Sequence, residues 1–288
     1  MKKILNGLAA LGFGVVAMLG TAGLQTKAAE NAAEPATFPL KEPPELSWSF
    51  TGPFGTFNKE QLQRGLKVYK EVCSACHSLN LVNFRNLTAL GYSEDQVKAF
   101  AAQYQIDDGP DKNGEMFKRP GKPSDHFPAP FPNEEAAAAS NGGAAPPDLS
   151  LMAKAREVER GFPRFVFDVV TQYAQGGPDY IHALLTGFGQ TPPPGVTIPE
   201  GTYYNPYYIN GVSLHMPPPL SDGQVAYDDG APQTVNQYAT DVAAFLMWAA
   251  EPTLQERKET GFRVMIFLVV FAGLAYFTKK KVWTNIEH

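Results

Sequence analysis

The sequence predicts a mainly α-helical body with long irregular loops, followed by one C-terminal transmembrane helix. Three observations predict it. Capped stretches with apolar residues three and four apart recur, while alternating apolar–polar runs are scarce. Glycine and proline are abundant, 26 and 25 among 288 residues, and they gather between those stretches. Near the C-terminus, "FRVMIFLVVFAGLAYFT" at 262–278 is an apolar run whose one charge, Arg263, lies at its start.

Taken in order, the chain opens on Lys2 and Lys3, then "ILNGLAALGFGVVAMLGTAGL" and "QTKAAE". A positive start, an apolar run and small residues make a secretory signal peptide over 1–28, cleaved near Ala28–Glu30. An uncleaved anchor is the competing reading. A proline-rich, helix-poor segment follows over 30–57. "NKEQLQRGLKVYKEVCSAC" then reads as a helix capped by Asn58, with Gln61 placed to return the bond. Leu62, Leu66, Tyr69 and Cys73 share one face, which puts the cysteines at the helix's C-terminal end. Ser93 and Gln96 form a capping box for a second helix reaching Tyr104.

From Ile106 to Pro147 the chain is polar and rich in proline and glycine, too long for a plain connection. One or two helices are expected across "PPDLSLMAKAREVERGFPRFVFDVVTQYAQGG", broken near Gly161–Pro163, and another at "GPDYIHALLTGF". A second loop rich in Pro, Gly and Tyr precedes the last helix of the body. Thr234 and Gln237 cap that helix, Val242, Phe245, Leu246 and Ala249 share a packing face, and Pro252 ends it.

The apolar run is long enough, with its flanks, to cross a bilayer. Arg263 can snorkel at its start, and Lys279–Lys281 with Trp283 mark a cytoplasmic boundary. The expected organisation is therefore a signal over 1–28, an exported periplasmic domain over 29–256, an anchor over 257–281 and a cytoplasmic tail over 282–288. Between Glu30 and Glu256 there are 27 Asp and Glu against 15 Lys and Arg, a net charge of −12. Such a body is unsuited to nucleic acid and suited to a basic protein partner.

Both cysteines of the chain lie in "EVCSACHSLN" as Cys73 and Cys76, followed at once by His77. C-x-x-C-H reads as covalent attachment of a c-type haem. The two thiols add to neighbouring vinyl groups at one porphyrin edge, and the next residue sets an imidazole under the iron. A thioredoxin-like dithiol would need neither the histidine nor the helix that precedes it. A second axial ligand is then required for pure electron transfer, and methionine raises the potential. Met116, Met152, Met216 and Met247 are available in the body, with His182, His215 and His126 as imidazole alternatives. Met216 is favoured, because it lies in a loop that three prolines stiffen, whereas Met152 and Met247 sit at helix core spacing.

The motifs "VCSACHSL", "DGPDKNGEMFKRPGKPSDHFPAPFPNEEAAAASNGGAAPPDLSLMAKAR", "DYIHALLTGF", "YYNPYY", "MPPPL", "DDGAPQT" and "DVAAFLMWAAEP" together resemble cytochrome c1. That is the haem subunit of the quinol–cytochrome c oxidoreductase, complex III, and the similarity runs through the terminal span. The resemblance implies a cytochrome c-like haem domain with one covalent haem c. It implies thioethers at Cys73 and Cys76, His77 as proximal ligand and Met216 as distal ligand. Arg156 and Tyr180 would face the haem propionates, and Asn141 and Pro147 would line the pocket. Cytochrome b and a Rieske iron–sulfur protein would be partners in a dimeric membrane complex of the bacterial inner membrane. The electron acceptor would be a c-type cytochrome.

Two departures stand out. Some bacterial relatives clamp the distal loop with an extra cysteine pair, and this chain has no cysteine for one. The segment "EVERGFPRFVFDVVTQYAQGG" is also longer than in mitochondrial relatives. The rival readings are an anchored c-type electron shuttle outside complex III, a haem enzyme with an open iron, and a protein that uses Cys73 and Cys76 as a disulfide.

Overall fold

Two helices from opposite ends of the body meet at its centre. The computed structural model describes residues 37–156, 162–171 and 175–284. The expected signal peptide and most of the expected tail lie outside these residues. Helix α1 spans Lys59–Glu71, and Asn58 caps it by accepting from the Gln61 N–H at 2.8 Å. Helix α7 spans Val235–Ala250, capped by Thr234 accepting from the Gln237 N–H. Their contact depends on Gly65. A Cβ there would lie 2.2 Å from the Asp241 carbonyl oxygen and 2.6 Å from the Phe245 Cβ. Only a residue without a side chain lets the two backbones approach so closely.

Around this crossing Leu62, Leu66, Tyr69, Val242, Phe245 and Trp248 are buried. Burying each large apolar side chain stabilises by about 1.5–3 kcal/mol against leaving it in water. Helix α7 buries far more than one face, since Tyr238, Ala243, Ala244 and Met247 are also inside. It is covered by α1, by the short helix α4 (Met152–Ala155) and by α6 (Gly176–Thr186). Asp241, fully buried on α7, is neutralised by Arg64 of α1, whose Nε donates at 2.8 Å.

A second cluster is aromatic. A 3-10 helix (Phe84–Leu90) and helix α2 (Glu94–Ala101) carry Phe84 and Phe100, which pack with Tyr104 and Phe127. The Tyr69 ring joins this cluster to α1. Ser93 and Gln96 form the expected capping box, but α2 ends at Ala101 rather than at Tyr104.

The long loop after α2 holds structure that its composition hides. Strands β1 (Gln105–Asp108) and β2 (Phe117–Pro120) form an antiparallel hairpin, and α3 spans Glu134–Ser140. Arg119 closes the hairpin base by donating to Asp108 and, at 2.6 and 3.0 Å, to Asp125. That guanidinium holds the Asp125 carboxyl down at about 2. Asp108 and Asp125 are thus paired internally, and the acidic surface of the loop is carried by Asp111, Glu115, Glu134 and Glu135, with exposed Asp107 beside Lys118.

Helix α5 spans Arg164–Thr171, and residues 157–161 before it lie outside the described set. Strands β3 (Tyr203–Tyr204) and β4 (Ser213–Leu214) make a second small hairpin. Helix α8, Leu254–Val282, has 29 residues and a mean hydropathy of 1.9 in its most apolar window. At 1.5 Å per residue it is about 43 Å long, more than the ~30 Å hydrocarbon core requires. The surplus is its charged first turns, where Leu254 is buried against the body. The boundary at Pro252 falls in the turn between α7 and α8.

Candidate haem site

The cysteines lie just past α1 rather than within it. The helix ends at Glu71, and Cys73–Ala75 form one 3-10 turn. The Cys76 and His77 N–H groups both donate to the Cys73 carbonyl, at 3.1 and 2.9 Å. This tightening sets two thiols and an imidazole around a single turn. Both thiols are free, with Cys76 exposed and Cys73 packed at the core edge. Burial pushes the Cys73 thiol up to about 12, opposite to the depressed value that marks a redox thiolate.

His77 is held through one ring nitrogen. Its Nδ1 lies 2.7 Å from the Pro147 carbonyl oxygen. A carbonyl can only accept, so Nδ1 carries the proton and Nε2 keeps its lone pair. Burial lowers the imidazole pKa and favours that neutral form.

The segment that presents Pro147 is fixed by Asp148. Asp148 Oδ2 accepts from Ser78 Oγ and the Asn80 N–H, both at 2.8 Å, and Oδ1 accepts from the Ser150 N–H at 2.8 Å. The Leu149 N–H donates to the Ser78 carbonyl at 2.9 Å, and the Leu81 N–H to Ser150 Oγ at 3.0 Å. One carboxylate thus staples the chain on both sides of the His77–Pro147 contact.

The same segment reaches the loop that carries Met216. Asn141 ends α3, its Nδ2 donating to the Ala137 carbonyl at 2.7 Å. At Gly142, which has φ of +67°, a Cβ would lie 3.5 Å from His215 Nδ1. Residues 141–150 therefore touch His77 at one end and the neighbour of Met216 at the other. Met216 itself is half-buried two residues after β4, followed by Pro217, Pro218 and Pro219.

Arg156 and Tyr180 come together through the packing of α4 on α6. A Cβ at Gly177 would overlap the Ala153 carbonyl oxygen at 1.6 Å, so glycine is required where the helices touch. Arg156 follows α4 directly, its N–H bonded to the Met152 carbonyl at 3.1 Å. Tyr180 is buried and its hydroxyl is pushed up to about 12 by desolvation, against the pull of the Ile209 N–H and the Arg156 charge.

A model described as the Cytochrome C1 family matches residues 48–286. The chain belongs to the cytochrome c1 family. It is 61% identical over 247 residues to "Cytochrome b/c1" of Bradyrhizobium diazoefficiens, a match covering 85% of this chain and 36% of that longer protein. It is 47% identical over 262 residues to "Cytochrome c1" of Blastochloris viridis, covering 89% of this chain and 92% of the relative. With "Cytochrome c1" of Rhodospirillum rubrum it shares 46% over 241 residues, 84% of this chain and 87% of the relative. As a cytochrome c1 of bacterial type, the chain is a haem-carrying electron-transfer subunit of complex III with one covalently bound haem c. Helix α8 fits the single-pass inner-membrane anchoring of such a subunit.

The residues present fit this group. Two free thiols and an imidazole with an uncommitted Nε2 share one turn. The other methionines and histidines that the sequence offers lie elsewhere. Met247 is in the core, Met116 is exposed in the first hairpin, and His126 is exposed beside Asn83. His182 is buried, with Nε2 taken by Asn236 Oδ1 at 3.0 Å. Sequence reasoning missed Asp148. The signal was present in "PDLS", where an Asp two residues before a Ser can take that residue's N–H as an Asx turn.

Proposed function

We propose that this cytochrome c1 accepts one electron from a Rieske iron–sulfur protein and passes it to a c-type cytochrome, in a dimeric complex with cytochrome b. The observation that supports it best is the His77–Pro147 contact, which orients one imidazole and leaves its other nitrogen free beside two thiols. A bound haem c supplies the one-electron couple.

The chain's own residues do the rest. Cys73 and Cys76 would hold the group covalently through their thiols, and His77 Nε2 and Met216 Sδ would be its protein donors to the iron. Pro147 accepts from His77 Nδ1, which raises the basicity of the ligating nitrogen. Asn141 and Pro147 wall the pocket through the segment that joins the two ligand loops. Arg156 and the Tyr180 hydroxyl face the propionates, where a fixed cation suits a partly desolvated carboxylate. With both His77 and Met216 as donors, the group would supply one-electron transfer rather than oxygen chemistry. The haem domain lies on the periplasmic side, after removal of the signal over 1–28, with the tail in the cytoplasm.

The net charge of −12 over 30–256 steers a basic acceptor, so its reduction slows as ionic strength rises. Met216→Leu tests the ligand set by potentiometric titration. The potential falls by a sizeable part of the ~0.8 V over which axial ligands set haem potentials. An unchanged potential removes Met216 from the set.

A further inference from the structure

The segment "TGPFGTF" at 51–57 forms a compact turn beside the start of α8. Its stem is deep in the core, since Trp48, Phe50 and Phe57 are buried and the Trp48 and Phe50 rings stack at 5.5 Å. The Thr56 N–H donates to the Ser49 carbonyl at 3.0 Å and closes the neck. At the tip, Gly52, Pro53, Phe54 and Gly55 make the turn. Gly52 takes φ of +75°, and a Cβ at Gly55 would lie 2.1 Å from the Thr51 carbonyl oxygen. Pro53 stiffens the position before Phe54. This rigid turn holds one large apolar side chain outward: Phe54 is 72% exposed.

The place of that side chain is set by α8. Lys258 Nζ donates to the Phe50 carbonyl at 2.6 Å and to the Gly52 carbonyl, pinning the turn to the helix one turn before the apolar run. The Phe54 ring then meets the Phe262 ring edge-on at 5.3 Å. Phe262 is the first residue of the apolar run, itself half-exposed. Arg257 precedes Phe262 by five residues and Arg263 follows it directly, and each is paired with a glutamate, Glu251 and Glu259. Phe54 is therefore continuous with the surface by which α8 enters the bilayer.

We propose that the 51–55 turn is a second membrane contact, with Phe54 seated among the lipid glycerol and upper acyl groups of the leaflet that α8 enters. It rests on the reading of α8 as a membrane span. An exposed Phe on a peripheral surface buries its apolar ring at the headgroup–acyl boundary. A stiff turn tied to both the core and α8 fixes the height and tilt of the haem domain over the bilayer, which a single helix and a flexible joint would leave free.

The test uses the full-length, haem-loaded chain. With Cys73 and Cys76 in thioethers, a cysteine at position 54 is the chain's one free thiol for a nitroxide label. Collision with oxygen, which partitions into lipid, is compared with collision with a water-soluble nickel chelate. Labels at V269C in the span and N113C in the first hairpin are the references. The result expected is an oxygen-to-nickel ratio at F54C well above that of N113C and below that of V269C, both for the chain in lipid nanodiscs and in the assembled complex. P53C, on the same turn, is the second reporter should F54C fail to load haem. A nickel-favouring ratio near that of N113C overturns the proposal. So does a label shielded from both reagents in the complex, which assigns the turn to a protein partner. A nickel-favouring ratio at V269C instead refutes the span itself.

Discussion

His77 needs a fixed tautomer and a fixed plane, and the chain obtains both from a backbone carbonyl that Asp148 holds in place. Asp148→Asn substitutes an N–H2 for one of two oxygens that together accept three hydrogen bonds. At least one donor loses its partner, at a cost of about 1–3 kcal/mol. Loosening of the Pro147 carbonyl weakens the bond from His77 Nδ1–H, lowers the basicity of Nε2 and raises the haem potential. Hydrogen exchange at the Asn80 and Ser150 amides, with a redox titration of the same sample, checks both effects. Lost protection with an unmoved potential would leave Asp148 a purely structural role. The haem cofactor was legible because C-x-x-C-H writes its chemistry in five adjacent residues. Asp148 was harder to see, because its partners Ser78 and Asn80 lie 70 and 68 positions away in the chain.

At the scale of elements, glycine sets how closely the two central helices cross. Gly65→Ala forces α1 and α7 apart, because the new methyl meets backbone at 2.2 Å. Overpacking of this kind costs about 3 kcal/mol or more, since neither helix can rotate away from a crossing buried on all sides. Thermal unfolding of the haem-loaded chain measures it, and a loss under about 1 kcal/mol would show that the crossing adjusts easily. The helices themselves were readable from caps and periodicity. Asn58, Ser93 and Thr234 each accept the bond their position implies. The end of α1 was misread because Cys73 continues the apolar spacing, although the backbone has already tightened into a 3-10 turn. The first hairpin was also hidden: its strands are four residues each, with exposed and half-buried positions that carry little apolar alternation. Arg119 holds it by charge, and pairing with Asp108 and Asp125 leaves no trace in periodicity.

For the whole molecule, the fold places a charged, loop-rich body at one end of a 29-residue helix, with the haem turn carried on the body. The helix was legible by length and composition, and its charged first turns extend beyond the apolar run because Leu254 and Lys258 dock on the body. Family membership rests on similarity over most of the chain, whereas the electron path rests on the geometry of His77 and its partners. The most direct measurement is quinol-driven reduction of haem c in a complex purified through a tag on this chain in mild detergent. The account predicts co-purification of a cytochrome b and a Rieske iron–sulfur protein, reduction of the haem by quinol, and onward reduction of an added c-type cytochrome. A haem-bearing chain that purifies alone and stays oxidised in the presence of quinol would contradict it.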